Sequence, residues 1–120
     1  MNCYGAKFNK ASMKAMLGMR TDYSNSDMIG VDAESVDFAG SNFMYANLSN
    51  SNFRYANFYG SNMMHCNIGN SDFRNCNLHY VYLKNAFGFE TADFTGALWN
   101  SNDPMPGWQV EEGKVVGKTS

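Results

Sequence analysis

Proline is nearly absent from this 120-residue chain: there are two, Pro104 and Pro106, close together near the C-terminal end. The long stretch before them therefore runs without the commonest breaker of regular structure. Charge is sparse as well, with 17% charged residues and a net charge of −2. That balance implies neither a strong nucleic-acid binder nor a strongly acidic surface. Cysteine is limited to Cys3, Cys66 and Cys76, an odd count without the spacing of a secreted disulfide framework. No apolar run is long enough to span a membrane and the first residues do not read as a signal peptide, so cytoplasmic residence is expected. There is no glycine-rich phosphate loop and no catalytic constellation. The expectation is a chain that is not an enzyme and needs no cofactor.

What the chain does have is repetition, which must be settled before any other assignment. From Thr21 to Leu83 it reads in blocks of five: TDYSN SDMIG VDAES VDFAG SNFMY ANLSN SNFRY ANFYG SNMMH CNIGN SDFRN CNLHY VYL. The first place is always small, and from Asp22 to Asn77 the second is always Asp or Asn. The third place is apolar: Tyr23, Met28, Ala33, Phe38, Phe43, Leu48, Phe53, Phe58, Met63, Ile68, Phe73, Leu78 and Leu83. Phe8 and Met13 keep the same register upstream. A period of five suits neither an amphipathic helix nor an alternating strand.

These blocks resemble the pentapeptide-repeat family, whose unit is small, Asn/Asp, Leu/Phe, any, any. The resemblance covers Ala6 to Trp99 and implies an all-β fold, a right-handed quadrilateral β-helix with terminal caps. It implies four blocks per square coil, with first and third places inward and the other three outward. Residues twenty apart then stack on one wall. The first wall is Phe8, Met28, Leu48, Ile68; the second is Met13, Ala33, Phe53, Phe73. The third is Gly18, Phe38, Phe58, Leu78; the fourth is Tyr23, Phe43, Met63, Leu83. Cys66 and Cys76 become inward spacers. A metal site from His65, Cys66, Cys76 and His79 is disfavoured, because the histidines face outward and the cysteines inward.

The ends depart from the pattern. Segment 10–19 (KASMKAMLGM) reads either as a degenerate coil or as a helical cap. Between Asn85 and Glu90 one extra residue enters before the frame resumes with Phe94 and Trp99, and either Phe87 or Phe89 takes the inner slot. Residues 1–99 therefore read as the β-helix. Residues 100–120 read as a breaker and a short hairpin around Glu112-Gly113, which covers the open end or pairs with a second copy.

Function must lie on the outward places. Arg54, Tyr55 and Arg74 suggest a small basic and aromatic patch suited to phosphate or carboxylate. Met44, Tyr45, Met64 and His65, with Tyr59, Tyr80 and His79 on the adjoining wall, form an apolar and aromatic strip of the kind that marks an interface. The first expectation is a non-enzymatic interaction or structural module that binds a protein partner or forms a homodimer. The alternative comes from the resemblance: some members of that family are rods that bind DNA gyrase, a type II topoisomerase, by mimicking DNA. Asp22, Asp27, Asp32, Glu34 and Asp37 would supply the acidity.

Overall fold

The five-residue block builds a wall through a fixed set of hydrogen bonds, seen in a computed structural model that describes residues 2–9, 12–13, 19–100 and 104–119. The third-place N–H donates to the second-place carbonyl one coil on, as from Tyr23 to Asn42 and from Phe43 to Asn62, both at 2.7 Å. The second-place N–H donates back to the first-place carbonyl of the previous coil, as from Asn42 to Thr21 and Asn62 to Ser41 at 3.0 Å. Each block thus contributes one short parallel bridge, and the bridges run Asp22–Asn42–Asn62–Tyr82 up one wall and Asp32–Asn52–Asp72–Asp93 up another. Stacked this way, the blocks form a right-handed square β-helix.

The corners follow from the remaining places. The third-place carbonyl accepts the first N–H of the next block, as Phe43 does from Ala46 at 2.9 Å. This closes a turn whose fifth-place residue has φ near +60°. Only glycine, and to a lesser degree asparagine, adopts that conformation cheaply. The second-place side chain then braces the turn: Asn42 Oδ1 accepts the Met44 N–H at 2.9 Å, and Asn62 Oδ1 the Met64 N–H at 3.0 Å. Asn and Asp recur at this place because a short side-chain oxygen reaches main chain two residues on. First-place hydroxyls and thiols bond inside the wall. Ser61 Oγ donates to the Phe38 carbonyl at 2.9 Å, and Cys76 Sγ to that of Phe53 at 2.7 Å.

The axis is filled by the third-place side chains. Phe38, Phe43, Phe53, Phe58, Phe73 and Phe94 are fully buried, as are Met28, Leu48, Met63, Ile68 and Leu78. Rings on one wall stack: Phe38 on Phe58 at 5.2 Å, Phe53 on Phe73 at 5.2 Å, Phe73 on Phe94 at 5.1 Å. Rings across a corner meet edge to face, as Phe38 and Phe43 do at 5.3 Å. Both geometries satisfy the ring quadrupole. Phe8 and Leu83, expected in the same ladder, are only partly buried because each belongs to an end coil. The Tyr23 hydroxyl is buried without a hydrogen-bond partner among the described residues.

Within segment 10–19, Ser12 bridges Asp32 and the Met13 N–H donates to the Asp32 carbonyl, which is coil register. Residues 10, 11 and 14–18 lie outside the described residues, so the helical-cap alternative does too. At the register slip, Phe87 bridges Asn67 in an outward second place, and Phe89 turns inward. Gly88 between them has φ +99°, and a Cβ there would lie 2.4 Å from the Gly69 nitrogen. At the C-terminal end, strand β1 (Trp108–Glu111) pairs antiparallel with β2 (Lys114–Lys118). Strand β2 also pairs with the last coil: Gly96 N–H to Val115 O, and Val115 N–H to Ala97 O, both at 2.8 Å. The outer edge of β2 is therefore paired within the chain. Trp108 packs edge-on to Phe94 at 5.7 Å and closes the axis.

Candidate protein-binding face

The left-handed corners differ in how well their residues suit that conformation. Most corners are occupied by residues that tolerate it, including Asn25, Gly30, Gly40, Asn50, Gly60, Asn70 and Asn75. Tyr45, Tyr55, His65 and Tyr80 hold the same conformation, with φ between 59° and 62°. An aromatic side chain there carries a backbone penalty of about 1–2 kcal/mol. Three of the four, Tyr45, His65 and Tyr80, stand at the two corners that bound the fourth wall. Between them lie Met44 and Met64, both half-buried. Tyr45 and Tyr80 are 56% and 58% exposed.

The rings are ordered by one another. Tyr45 stacks on His65 with centroids 4.5 Å apart. Tyr80 meets Tyr59 edge-on at 5.4 Å and His79 at 6.4 Å. The strip therefore presents two short aromatic columns with a methionine pair between them. The structure adds two residues that pattern reading missed. Tyr82 and Phe87 occupy second places in the last coil, 63% and 56% exposed. The signal was the point at which the Asp/Asn rule stops, directly after Asn77.

In the patch expected from Arg54, Tyr55 and Arg74, both arginines have acidic partners. Second-wall acids interleave with the arginines. Arg54 reaches Glu34 at 2.8 Å and Asp72 at 3.8 Å, while Arg74 reaches Asp72 at 2.7 Å and Asp93 at 3.9 Å. Burial pushes the Asp72 carboxyl up, but hydrogen bonds from Arg74 and the charges of Arg74 and Arg54 outweigh it and leave it below the usual range. Hydrogen bonding to Asp72 raises Arg74 in turn. The result is a ladder of alternating charge with no net positive face. Tyr55 stands beside it, 61% exposed.

The acidic residues are also redistributed by the fold. Asp22, Asp27, Asp32 and Asp37 bridge Asn42, Asn47, Asn52 and Asn57 on four different walls, so they ring one coil. Asp22 and Asp37 brace their turns through the Ser24 and Ala39 N–H groups at 2.9 and 3.0 Å. Cys66 and Cys76 are buried and directed inward, and burial pushes the Cys66 thiol up to about 12 and Cys76 up as well. His65 and His79 lie outside, so the four are not brought together. Among the described residues no cluster of His, Cys, Asp or Glu is placed to hold a metal. No helix among them is long and apolar enough to cross a membrane.

Comparison with known proteins agrees with this geometry. The family model described as pentapeptide repeats matches residues 34–70 and 56–87, with 8 copies. A pentapeptide repeat protein from the thylakoid lumen of Arabidopsis thaliana superposes with a TM-score of 0.52 at 17% identity, over 87% of this chain and 64% of that one. QnrB1, a plasmid-mediated fluoroquinolone resistance protein, superposes with a TM-score of 0.53 at 17% identity, over 83% of this chain and 49% of that one. This chain thus spans less than two thirds of either. At such identities the likeness is one of fold. No curated protein matches the sequence.

Proposed function

The chain belongs to the pentapeptide-repeat family, and from that premise we propose that it is a non-enzymatic protein-interaction module acting through its fourth wall, in a cytoplasmic setting. The observation that carries this reading is the placement of Tyr45, His65 and Tyr80 at left-handed corners. Glycine or asparagine would be cheaper at each position, so an aromatic ring there needs a reason other than the fold. Contact with a partner supplies one, since exposed aromatics and methionines are the side chains that interfaces favour. The rigid axis beneath holds the face in shape, which lowers the ordering cost of binding. A second copy of the chain is the other partner this face suits.

The DNA-mimic reading, with a type II topoisomerase such as DNA gyrase as target, has less support. A double-helix-like surface needs acids repeated along one face, and here they circle one coil. The second wall is internally neutralised by Arg54 and Arg74.

The test is capture of partners from a host lysate by the native protein and by a Met44→Ser/Tyr45→Asn/Met64→Ser variant of equal thermal stability, alongside sedimentation of both. A protein retained by the native face and lost from the variant, or a dimer lost in the same way, supports the proposal. Identical capture and identical sedimentation overturn it. Lack of effect on DNA supercoiling by gyrase at micromolar protein disposes of the alternative.

A further inference from the structure

We infer that a cavity at the C-terminal end of the fourth wall receives an apolar side chain of a partner polypeptide, with an acidic residue next to it in the partner. The inference rests on the reading of that wall as a protein-binding face, and it names the anchor and its chemistry.

The cavity measures about 640 Å³, within the range of sites that bury a ligand side chain or small molecule. Met64, Leu83, Ala86, Phe89 and Trp99 line it, and Tyr80 and Tyr82 border it. Its origin lies in how the end of the column is covered. Among the described residues, the hairpin's hydrogen bonds to the coils go to Phe89, Glu90 and Gly96–Trp99. None of these goes to Val81–Ala86; Asn100, Pro104 and Pro106 line the cavity beside that corner. The second places there are Tyr82 and Phe87 rather than Asn, which removes the polar bracing that Asn42, Asn62, Asn67 and Asn47 give the coils below and leaves apolar surface instead.

Among the described residues lining the cavity, Lys84 alone is charged. It is exposed and has no ion pair among the described residues, whereas Arg54 and Arg74 are both paired. A cation beside an apolar cleft selects an occupant that is apolar with a carboxylate close by. Met64 belongs both to the cavity lining and to the Met44/Met64 strip, so the cavity continues the proposed face. A polypeptide can cover both at once; a small molecule fills only one. A second copy of this chain does not present the required pairing. Among the described residues, none of the exposed large apolar side chains, from Tyr4 and Met19 to Phe87 and Val116, has an acidic neighbour in sequence. The geometry therefore favours a different protein.

The experiment is a titration of the isotope-labelled full chain, followed by amide NMR, with three blocked pentapeptides, Gly-Gly-Phe-Asp-Gly and its Asn and Lys analogues at the fourth position. The expected result is a dose-dependent shift of the Met64, Tyr82, Lys84 and Asn100 amides. The Asp peptide should bind about threefold more tightly than the Asn peptide, as one exposed ion pair allows. Lys84→Glu should reverse the order in favour of the Lys peptide while leaving the remaining spectrum unchanged. No shift at these amides up to roughly 10 mM peptide, the weak end expected of a lone anchor, overturns the inference. So does equal binding of all three peptides, or a Lys84→Glu variant with unchanged preference. Shifts confined to Tyr45 and His65 would remove the cavity assignment and leave the fourth-wall reading standing. A dimer that dissociates in Lys84→Glu on sedimentation would replace the proposed partner with a second copy.

Discussion

Tyr45 lies flat on His65, one coil apart, with ring centroids separated by 4.5 Å and planes inclined by 8°. Both residues hold φ at +62°. Stacking contributes about 0.5–1.5 kcal/mol, and each left-handed backbone costs about 1–2 kcal/mol. Two such corners outweigh one stack, so the pair is unfavourable for folding by roughly 0.5–3.5 kcal/mol. Tyr45→Asn should leave the denaturant midpoint unchanged or raise it. A loss of more than about 1 kcal/mol on chemical denaturation would show that the ring serves the fold.

Gly88 behaves in the opposite way. Its φ of +99° and the 2.4 Å approach of a would-be Cβ to the Gly69 nitrogen leave no room for a side chain. The chain spends its extra residue at this point and returns Phe89 to the interior. Gly88→Ala should destabilise by about 1–3 kcal/mol from backbone strain, with the clash in addition. Thermal unfolding measures it, and a variant as stable as the parent would contradict the packing described.

The ladder was legible in the sequence as the fifth-residue recurrence of an apolar side chain, and the square coil and the inward thiols followed from the family that this recurrence resembles. The frame distinguishes inside from outside, and Phe43, Phe53, Phe58 and Phe73 follow it without exception. It says nothing about φ, so the strain at Tyr45, His65 and Tyr80 was invisible until the backbone was seen. The ion pairs within the expected basic patch were not legible for a related reason. Arg54 and Arg74 were read in their own column, while Asp72 and Asp93 approach from the neighbouring second-place column. The cavity depends on how the hairpin docks on the last coil, which the block pattern does not encode.

Asp72 should make stability fall in acid. Its carboxyl titrates lower in the folded protein than in the unfolded chain, where the ordinary value is about 3.9. The contribution is complete above that value and is lost as pH falls through the folded pKa, because the unfolded chain takes up the proton first. Asp72→Asn should flatten the decline in stability below about pH 4. An unchanged slope in urea titrations across that window would mean that Arg54 and Arg74 do not hold the carboxylate.

Cys66 and Cys76 make the alkaline counterpart. Cys66 Sγ donates to the Phe43 carbonyl at 2.8 Å, as Ser61 Oγ does to that of Phe38. Burial raises the folded thiols, Cys66 to about 12. Stability should be full below the unfolded thiol value of about 8.5 and should decline above it, because the unfolded chain releases the protons first. Serine fits the same slot, so Cys66→Ser/Cys76→Ser should fold with a loss of no more than about 1 kcal/mol and a smaller alkaline decline. In the native protein at pH 8 these two thiols should resist a thiol reagent until unfolding. Rapid labelling of either would contradict their burial.

The most direct measurement of the central claim compares Tyr45→Asn/Tyr80→Asn with the parent for partner affinity and for folding stability in the same buffer. The account predicts a denaturant midpoint equal to or above that of the parent, together with at least a tenfold loss of association. Undiminished association, or a sharp fall in stability, would show that the rings on the fourth wall serve the column and not a partner.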